Sequence, residues 1–578
     1  MKKILFLSVL AVVMVFVTSA FAADFIRHEM EKQVLLKGDE PIPNVSYYPS
    51  RPGLITQSPG EIIGWTQYDY QTNSSTGDRA ALGIAGAVNF SWMNGLDIAP
   101  DGSGIRQTYF NCVDADGDLA YPEGSRVCEG NRSGYTTIAN LSSDKAVVAY
   151  HRTDPIYEVF AAVDAVACWG IFTPVSVPNL VGGIVSIWPY VTVDRNDNIH
   201  MVFSNPDDLG DGFGYTNSTD GGVSWGRPYP VDNILTISPI MTSSPVSDKV
   251  AIVYTRDVGQ QWRNNVVYYE SQDGLTWDFG SDPVHVTEYG QGGDSLWAYC
   301  DVDAVYDYND DLHIIWNAHW ATEPSVYIPV WLYHYDTGSE TMTLMTESES
   351  PDFDTCDTGG WQMPIAKMSL GVQESNNALF AVYTFFPEND CSAGGFSNGE
   401  LYSQFSLDGG GSWSEPLNMT DSHTPGCEAG DCDSDHWSSL AERVEGDIMH
   451  IIYINDKDAG GVPQGEGGVT DNPVMYLPYG LTGIDDEVTT PRSFALSQNY
   501  PNPFNAKTNI EFELLENSRV ELSVYNIMGA KVATLVNGEM EAGVHAVNWD
   551  ADKVASGVYY YSLRANGEES TRKMTLLK

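Results

Sequence analysis

His200-Met201-Val202-Phe203, Ala251-Ile252-Val253-Tyr254, His313-Ile314-Ile315-Trp316 and His450-Ile451-Ile452-Tyr453 are versions of one short strand, closed by an aromatic ring. Three more copies are Ala87-Val88-Asn89-Phe90-Ser91-Trp92, Val147-Val148-Ala149-Tyr150 and Phe380-Ala381-Val382-Tyr383. The closing rings lie 58, 53, 51, 62, 67 and 70 residues apart. A polar turn precedes most copies, as at Asn196-Asp197-Asn198 and Asp310-Asp311, and a second strand follows, as at Val266-Val267-Tyr268-Tyr269 and Val330-Trp331-Leu332-Tyr333. Few apolar segments recur at helical spacing, so the chain reads as all-β with many turns. Strand units repeating at this period cannot each bury two faces alone, and stacking them around an axis solves the problem. The expected architecture is a β-propeller of seven blades, or of six if the first copy only caps the ring.

Three turns between strands share a pattern. Ser218-Thr219-Asp220-Gly221-Gly222-Val223-Ser224-Trp225 and Ser406-Leu407-Asp408-Gly409-Gly410-Gly411-Ser412-Trp413 both fit Ser-x-Asp-x-Gly-x-Ser/Thr-Trp, and Ser271-Gln272-Asp273-Gly274-Leu275-Thr276-Trp277 is one residue shorter. This resembles the Asp-box, the bacterial neuraminidase repeat of sialidase-like propellers. The resemblance implies a structural role away from the active face. Asp accepts backbone N–H groups in such a turn, Gly supplies a positive φ, and Trp packs between blades.

Sialidase activity itself is not expected. It requires an arginine triad to fork a carboxylate. Tyr48-Pro49-Ser50-Arg51-Pro52 is a poor match to the family's arginine motif, and between Arg263 and Arg443 the only Lys or Arg is Lys367. The favoured role is non-catalytic binding of an extracellular glycan or protein. The alternative is a glycoside hydrolase, which needs only two suitably spaced carboxylates. Its mark would be a carboxylate pair on one mouth of the propeller with one pKa raised.

The chain ends carry addresses. Lys2-Lys3, an uncharged apolar run from Ile4 to Val17 and Thr18-Ser19-Ala20-Phe21-Ala22 form a signal peptide with cleavage expected after Ala22. The run is short for a transmembrane helix, and no later stretch reaches eighteen apolar residues, so the mature chain is expected to lack a membrane span.

At the other end, Asn499-Tyr500-Pro501-Asn502-Pro503-Phe504-Asn505 opens a segment. It continues through Val524-Tyr525-Asn526-Ile527-Met528-Gly529, Gly543-Val544-His545-Ala546-Val547-Asn548-Trp549-Asp550 and Ser556-Gly557-Val558-Tyr559-Tyr560-Tyr561 to Lys573-Met574-Thr575-Leu576-Leu577-Lys578. These motifs resemble the C-terminal sorting domain of type IX (Por) secretion substrates of gram-negative bacteria. The resemblance implies recognition by the outer-membrane translocon, then delivery to the cell surface or medium. One departure is Ala506, where the family usually has Pro. Ile510, Phe512 and Leu514 alternate, as do Leu522 and Val524, which fits a small Ig-like β-sandwich.

Charge separates these regions. Residues 4–490 hold 18 Lys and Arg against 68 Asp and Glu, while residues 491–578 hold 9 against 10. The acidic part repels nucleic acid and anionic membranes and suits cations or neutral ligands. Most of this acidity reads as a solvated exterior.

Eight cysteines in an exported chain suggest disulfides. Cys112 with Cys128 and Cys427 with Cys432 bracket short loops and are the expected pairs. The partners of Cys168, Cys300, Cys356 and Cys391 stay open, free buried thiols included. Asp114-Ala115-Asp116-Gly117-Asp118 resembles the start of a calcium loop, with Asp114, Asp116 and Asp118 as ligands, although its Gly comes too early for an EF-hand. The plainer reading is a degenerate blade turn. No cofactor is otherwise required. His200, His313 and His450 share one strand position, which reads as repeat-derived packing ahead of metal ligation.

The expected organisation is a signal peptide at 1–22, an N-terminal segment at 23–60, an acidic propeller at 61–482, a linker at 483–493 and the sorting domain at 494–578.

Overall fold

A computed structural model describes residues 26–29, 35–37, 46–48, 56–96, 105–128, 132–153, 156–180, 185–205, 212–290, 296–322, 325–348, 356–481, 494–496, 499, 504–514, 517–526, 531–540, 542–565 and 568–576. The signal segment, the linker, Tyr500 to Pro503 and Gly529 lie outside the described residues. The chain forms two compact units, Met1–Leu481 and Thr482–Lys578.

The first unit is a β-propeller, with seven blades among the described residues. Blade 1 pairs Ala80–Leu82, Val88–Leu96, Ile105–Val113 and Ser125–Arg126, inner to outer. Blade 2 pairs Ser133–Asn140, Ala146–Arg152, Glu158–Asp164 and Phe172–Ser176. Blade 3 pairs Ile187–Val193, Ile199–Asn205, Gly212–Ser218 and Tyr229–Asp232. Blade 4 pairs Pro239–Ser243, Val250–Gln260, Arg263–Ser271 and Val284–His285. Blade 5 pairs Leu296–Tyr306, Leu312–Thr322, Ser325–Asp336 and Thr341–Glu347. Blade 6 pairs Ile365–Gln373, Leu379–Phe385, Glu400–Ser406 and Leu417–Asn418.

Blade 7 closes the ring with a strand from the front of the chain. Ser434–Leu440, Ile448–Asp456 and Asn472–Gly480 are completed by Glu61–Thr66, antiparallel to the third strand with Glu61 opposite Tyr476. Closure by a strand more than 400 positions distant in sequence joins the last blade to the first without a new covalent bond.

Each recurring strand of the sequence is the second strand of a blade. Val147, Val148, Ala149 and Tyr150 are all fully buried. A strand flanked by neighbouring blades has no wet face, so it is continuously apolar rather than alternating. Side chains at one register of the inner strands tie blade to blade. The Leu370 N–H donates to Asp303 Oδ2 (2.6 Å), the Leu440 N–H to Ser369 Oγ (2.9 Å) and the Arg79 N–H to Ser439 Oγ (2.9 Å).

The second unit stacks two sheets. One orders Phe494–Leu496, Lys507–Leu514 and Gly543–Asp550, and the other orders Lys531–Met540, Ser518–Asn526, Gly557–Ala565 and Glu568–Leu576. Ile510, Phe512, Leu514, Val520, Leu522, Val524, Tyr561, Leu563 and Met574 fill the space between them.

Candidate functional sites

Antiparallel strands put the second-to-third and blade-to-blade connections of a propeller on one face, and the remaining turns on the other. On the first face the inner strands bulge. Register shifts fall between Gly134 and Thr137, Ile187 and Tyr190, Ala366 and Ser369, and His436 and Ser439. Within them Tyr135, Trp188, Lys367 and Trp437 take φ values of 50°, 51°, 53° and 58°. Non-glycine residues there cost on the order of 1–3 kcal/mol each, and bulges re-aim side chains next to sites. Here they bring side chains of neighbouring strands and blades together. Tyr135 stacks on His151 at 5.1 Å and lies 6.4 Å from Trp188, and the Arg106 guanidinium sits 5.0 Å from the Tyr135 ring and 5.1 Å from Tyr68. Lys367 is fully buried, 3.0 Å from Asp301 Oδ1, 3.0 Å from the Trp361 carbonyl and 5.3 Å over the Trp437 ring.

That mouth is filled by the chain itself. After the closing strand, residues 68–76 are all buried. Ser75 Oγ donates to the Val302 carbonyl (2.7 Å), Tyr190 donates to the Ser75 carbonyl (2.9 Å), and Ser74 bonds the Ile237 carbonyl. The segment thus runs from blade 7 to blades 3, 4 and 5 before returning to blade 1.

Carboxylates with raised pKa values gather at this face and in the channel. Burial and the neighbouring Asp456 push Asp69 well up, and burial does the same to Asp456. Burial, with Glu400 nearby, lifts Asp435 to about 7. Deeper in the channel burial lifts Asp303 to about 8 and Glu442 to about 7, and Asp78 rises with them. Asp78 and Glu442 line a cavity of about 140 Å³. The pair nearest the expected hydrolase mark is Asp69 and Asp456, yet they are 1% and 0% exposed. Such a pair holds protons but meets no polymer.

A groove lies elsewhere, between blades 5 and 6. It has a volume of about 270 Å³ and is lined by Tyr383, Phe385, Tyr402, Glu347, Glu388 and Pro416 among others. The Phe385 and Tyr402 rings are 4.9 Å apart, and Trp331 Nε1 donates to Glu347 Oε2 (3.0 Å). Aromatic faces beside carboxylates can stack on a sugar ring and accept its hydroxyl protons.

The Ser-x-Asp turns all join third and outer strands, in blades 3, 4 and 6, on the opposite face. Asp220 accepts from Ser218 Oγ, Ser224 N and Ser224 Oγ at 2.8, 2.9 and 2.6 Å, and Asp408 repeats the set with Ser406 and Ser412. Asp273 accepts from Ser271 Oγ and from the backbone and hydroxyl of Thr276. These bonds hold Asp220 and Asp273 near 2 and lower Asp408. Gly222 and Gly410, both at φ 85°, each donate N–H to the turn's first serine. The tryptophans reach the preceding blade. Trp277 lies 4.9 Å from Tyr215, Trp413 lies 5.3 Å from His334, and Trp225 packs on the core between blades 2 and 3.

Asp114 Oδ1 accepts the N–H groups of Asp116 and Asp118 (3.0 and 2.9 Å), and both of those residues are exposed. His200, His313 and His450 each stack on a third-strand ring of their own blade: Tyr215, His334 and Tyr476. The expected Cys112–Cys128 pair is corrected. Cys112 bonds Cys168 of blade 2, and Cys128 is a buried free thiol, as is Cys300. Cys427 bonds Cys432, and Cys356 bonds Cys391. Sequence reading missed the closing strand, the plug and a group formed by buried Asp390 and Glu400 with exposed His423. The acids of that group were indistinguishable among so many others.

In the second unit Phe504, Trp549 and Tyr559 form a ring series at 5.5 and 5.6 Å, and Tyr559 donates to the Ala555 carbonyl (2.7 Å). Asn505 leads into Ala506 at φ 63°. Proline is locked near −65°, so the departure from the motif matches the local backbone. Gly543 starts its strand at φ 129°. Ser556 and Gly557 open the strand that carries Tyr559, and Lys573 lies on the last one.

Residues 498–576 match the secretion system C-terminal sorting domain. This tail marks a protein exported to the cell surface or the medium. No curated protein matches the chain. Among solved structures it is similar to the polysaccharide lyase Uly1 (TM-score 0.44, 10% identity, covering 78% of this chain and 99% of that one). It is also similar to PorZ of Porphyromonas gingivalis, described as an essential surface component of the type IX secretion system (0.35, 10%, 88% and 60%). A third is the GH93 α-L-arabinofuranosidase of Fusarium graminearum (0.36, 13%, 60% and 93%). At these scores none carries an activity across.

Proposed function

We propose that this protein is a type IX secretion substrate whose propeller binds an extracellular glycan without cleaving it. The match over residues 498–576 supports the route. The translocon would read the tail after the signal peptide has taken the chain through the inner membrane. Removal of residues 494–578 should leave the protein in the periplasm, measured by fractionation and surface protease shaving. Undiminished surface display would sink the proposal.

The groove of Phe385 and Tyr402 is the ligand site in this reading, because it sets aromatic rings beside Glu347 and Glu388, whereas Asp69 and Asp456 are buried. Tyr402→Ala should abolish retention on an affinity gel of the glycan found by array screening. A second reading, glycoside hydrolysis, rests on Glu347 and Glu388 lining the same groove. Released reducing ends that vanish in Glu388→Gln would favour it over binding alone.

A further inference from the structure

Two carboxylates and an imidazole meet on the plugged face at blade 6, outside both the groove and the axis. Asp390 lies between the second and third strands of that blade, Glu400 begins the third strand, and His423 lies in the connection to blade 7. One ligand atom from each falls within 4.8 Å of the others. His423 Nδ1 is 3.0 Å from Asp390 Oδ2, and its side chain is 46% exposed while Asp390 and Glu400 are fully buried. Asn398 Nδ2 donates to Asp390 Oδ1 (2.8 Å), Ser422 N to Glu400 Oε1 (2.8 Å) and Thr420 Oγ1 to Glu400 Oε2 (2.5 Å). These donors fix the orientation of the carboxylates, as outer partners of metal ligands do.

The segments are braced as well. Asp390 precedes Cys391, which bonds Cys356, and the Cys427–Cys432 bridge follows His423 by four residues. Among the described residues no lysine or arginine is ion-paired with Asp390 or Glu400. Two buried carboxylates facing one half-exposed histidine leave negative charge unbalanced, and a buried charge requires a counter-charge or a proton.

We propose that Asp390, Glu400 and His423 bind a zinc-class divalent cation. Ligands of one zinc ion at about 2.0–2.2 Å lie within roughly 4 Å of each other, close to the spacing already present. An imidazole favours zinc over calcium, which takes oxygen ligands alone. The exposed side of His423 leaves room for water on the ion. The ion would pin the connection between the second and third strands of blade 6 to the connection that leads on to blade 7.

The test uses the full mature chain, stripped with EDTA and titrated with zinc chloride by calorimetry, with metal analysis after gel filtration. Wild type should hold one zinc more than His423→Ala, and zinc should raise its Tm. His423→Ala and Glu400→Gln should each weaken binding at least tenfold. His285→Ala is the control, since its ring pairs with Asp282 at 3.4 Å in no three-donor group among the described residues. Equal zinc binding by wild type and His423→Ala, no zinc binding at all, or a site that takes calcium but not zinc would overturn the proposal. In the second of these outcomes the His423–Asp390 contact is a plain ion pair.

Discussion

Lys367→Met tests whether the axial ion pair braces the propeller. The lysine and Asp301 are both fully buried, so no solvent screening reduces the effect. Removing one member of a buried pair costs about 3–5 kcal/mol, because the other charge is stranded. Asp301 would keep the Lys367 backbone N–H (3.1 Å) and a long contact from Asn317 Nδ2 (3.4 Å), which places the cost toward the lower end, about 3–4 kcal/mol. Methionine is close to the lysine stem in length, so the main losses are the ion pair and the ammonium over the Trp437 ring (5.3 Å). For a unit of roughly 400 residues at about 2.1 cal/mol/K each, the unfolding entropy is about 0.8 kcal/mol per degree, and Tm should fall by about 4–5 °C. Scanning calorimetry of wild type, Lys367→Met and the double variant Lys367→Met/Asp301→Asn measures it. The double variant should recover more than half of the loss, since no charge is then stranded. A Lys367→Met Tm within 1 °C of wild type, or a double variant no better than the single, would refute the reasoning.

Three further outcomes are expected. Asp220 and Asp273 have folded pKa values near 2, below their unfolded values, so their stabilisation is complete above about pH 4 and fades toward pH 2. Asp220→Asn with Asp273→Asn should flatten that acid limb in a plot of Tm against pH. Asp303 and Glu442 behave oppositely. Their folded values of about 8 and about 7 lie above the unfolded ones, so the folded state binds more protons and loses stability as pH rises from about 4 through 8. Asp303→Asn and Glu442→Gln should therefore raise Tm more at pH 8 than at pH 5, and an equal gain at both would contradict the assignment. Non-reducing peptide mapping should recover Cys112–Cys168, Cys356–Cys391 and Cys427–Cys432, with Cys128 and Cys300 alkylated only after unfolding. A Cys112–Cys128 peptide would count against the fold as described.

The propeller was legible because each blade repeats one physical problem. Tyr150, Phe203, Tyr254, Trp316, Tyr383 and Tyr453 end strands that neighbours cover on both sides, so the pattern survives where the loops diverge. The cysteines show where that logic stops. Closing a short loop costs little chain entropy, which favours Cys128 as the partner of Cys112. In the folded chain, however, Cys112 sits on the third strand of blade 1, beside the turn of blade 2 that carries Cys168. Contacts between blades are set by the ring, which local spacing does not encode. The plug was hidden for the same reason. Residues 68–76 are polar and turn-like in composition, and only a ring closed by Glu61–Thr66 forces them across the axis.

The excess of acid was the least sortable signal. Composition assigns it to a wet exterior, yet Asp69, Asp301, Asp303, Asp390, Glu400, Asp435 and Asp456 are all buried. Each meets the cost of burial differently. Asp301 takes a lysine, Asp303 and Asp435 hold protons into the neutral range, and Asp390 and Glu400 face a single histidine. A carboxylate therefore reveals its role only through what compensates it. Asp390 and Glu400 are hydrogen-bonded by Asn398, Thr420 and Ser422 but share one exposed imidazole as their only basic neighbour among the described residues, an arrangement that a bound cation would complete.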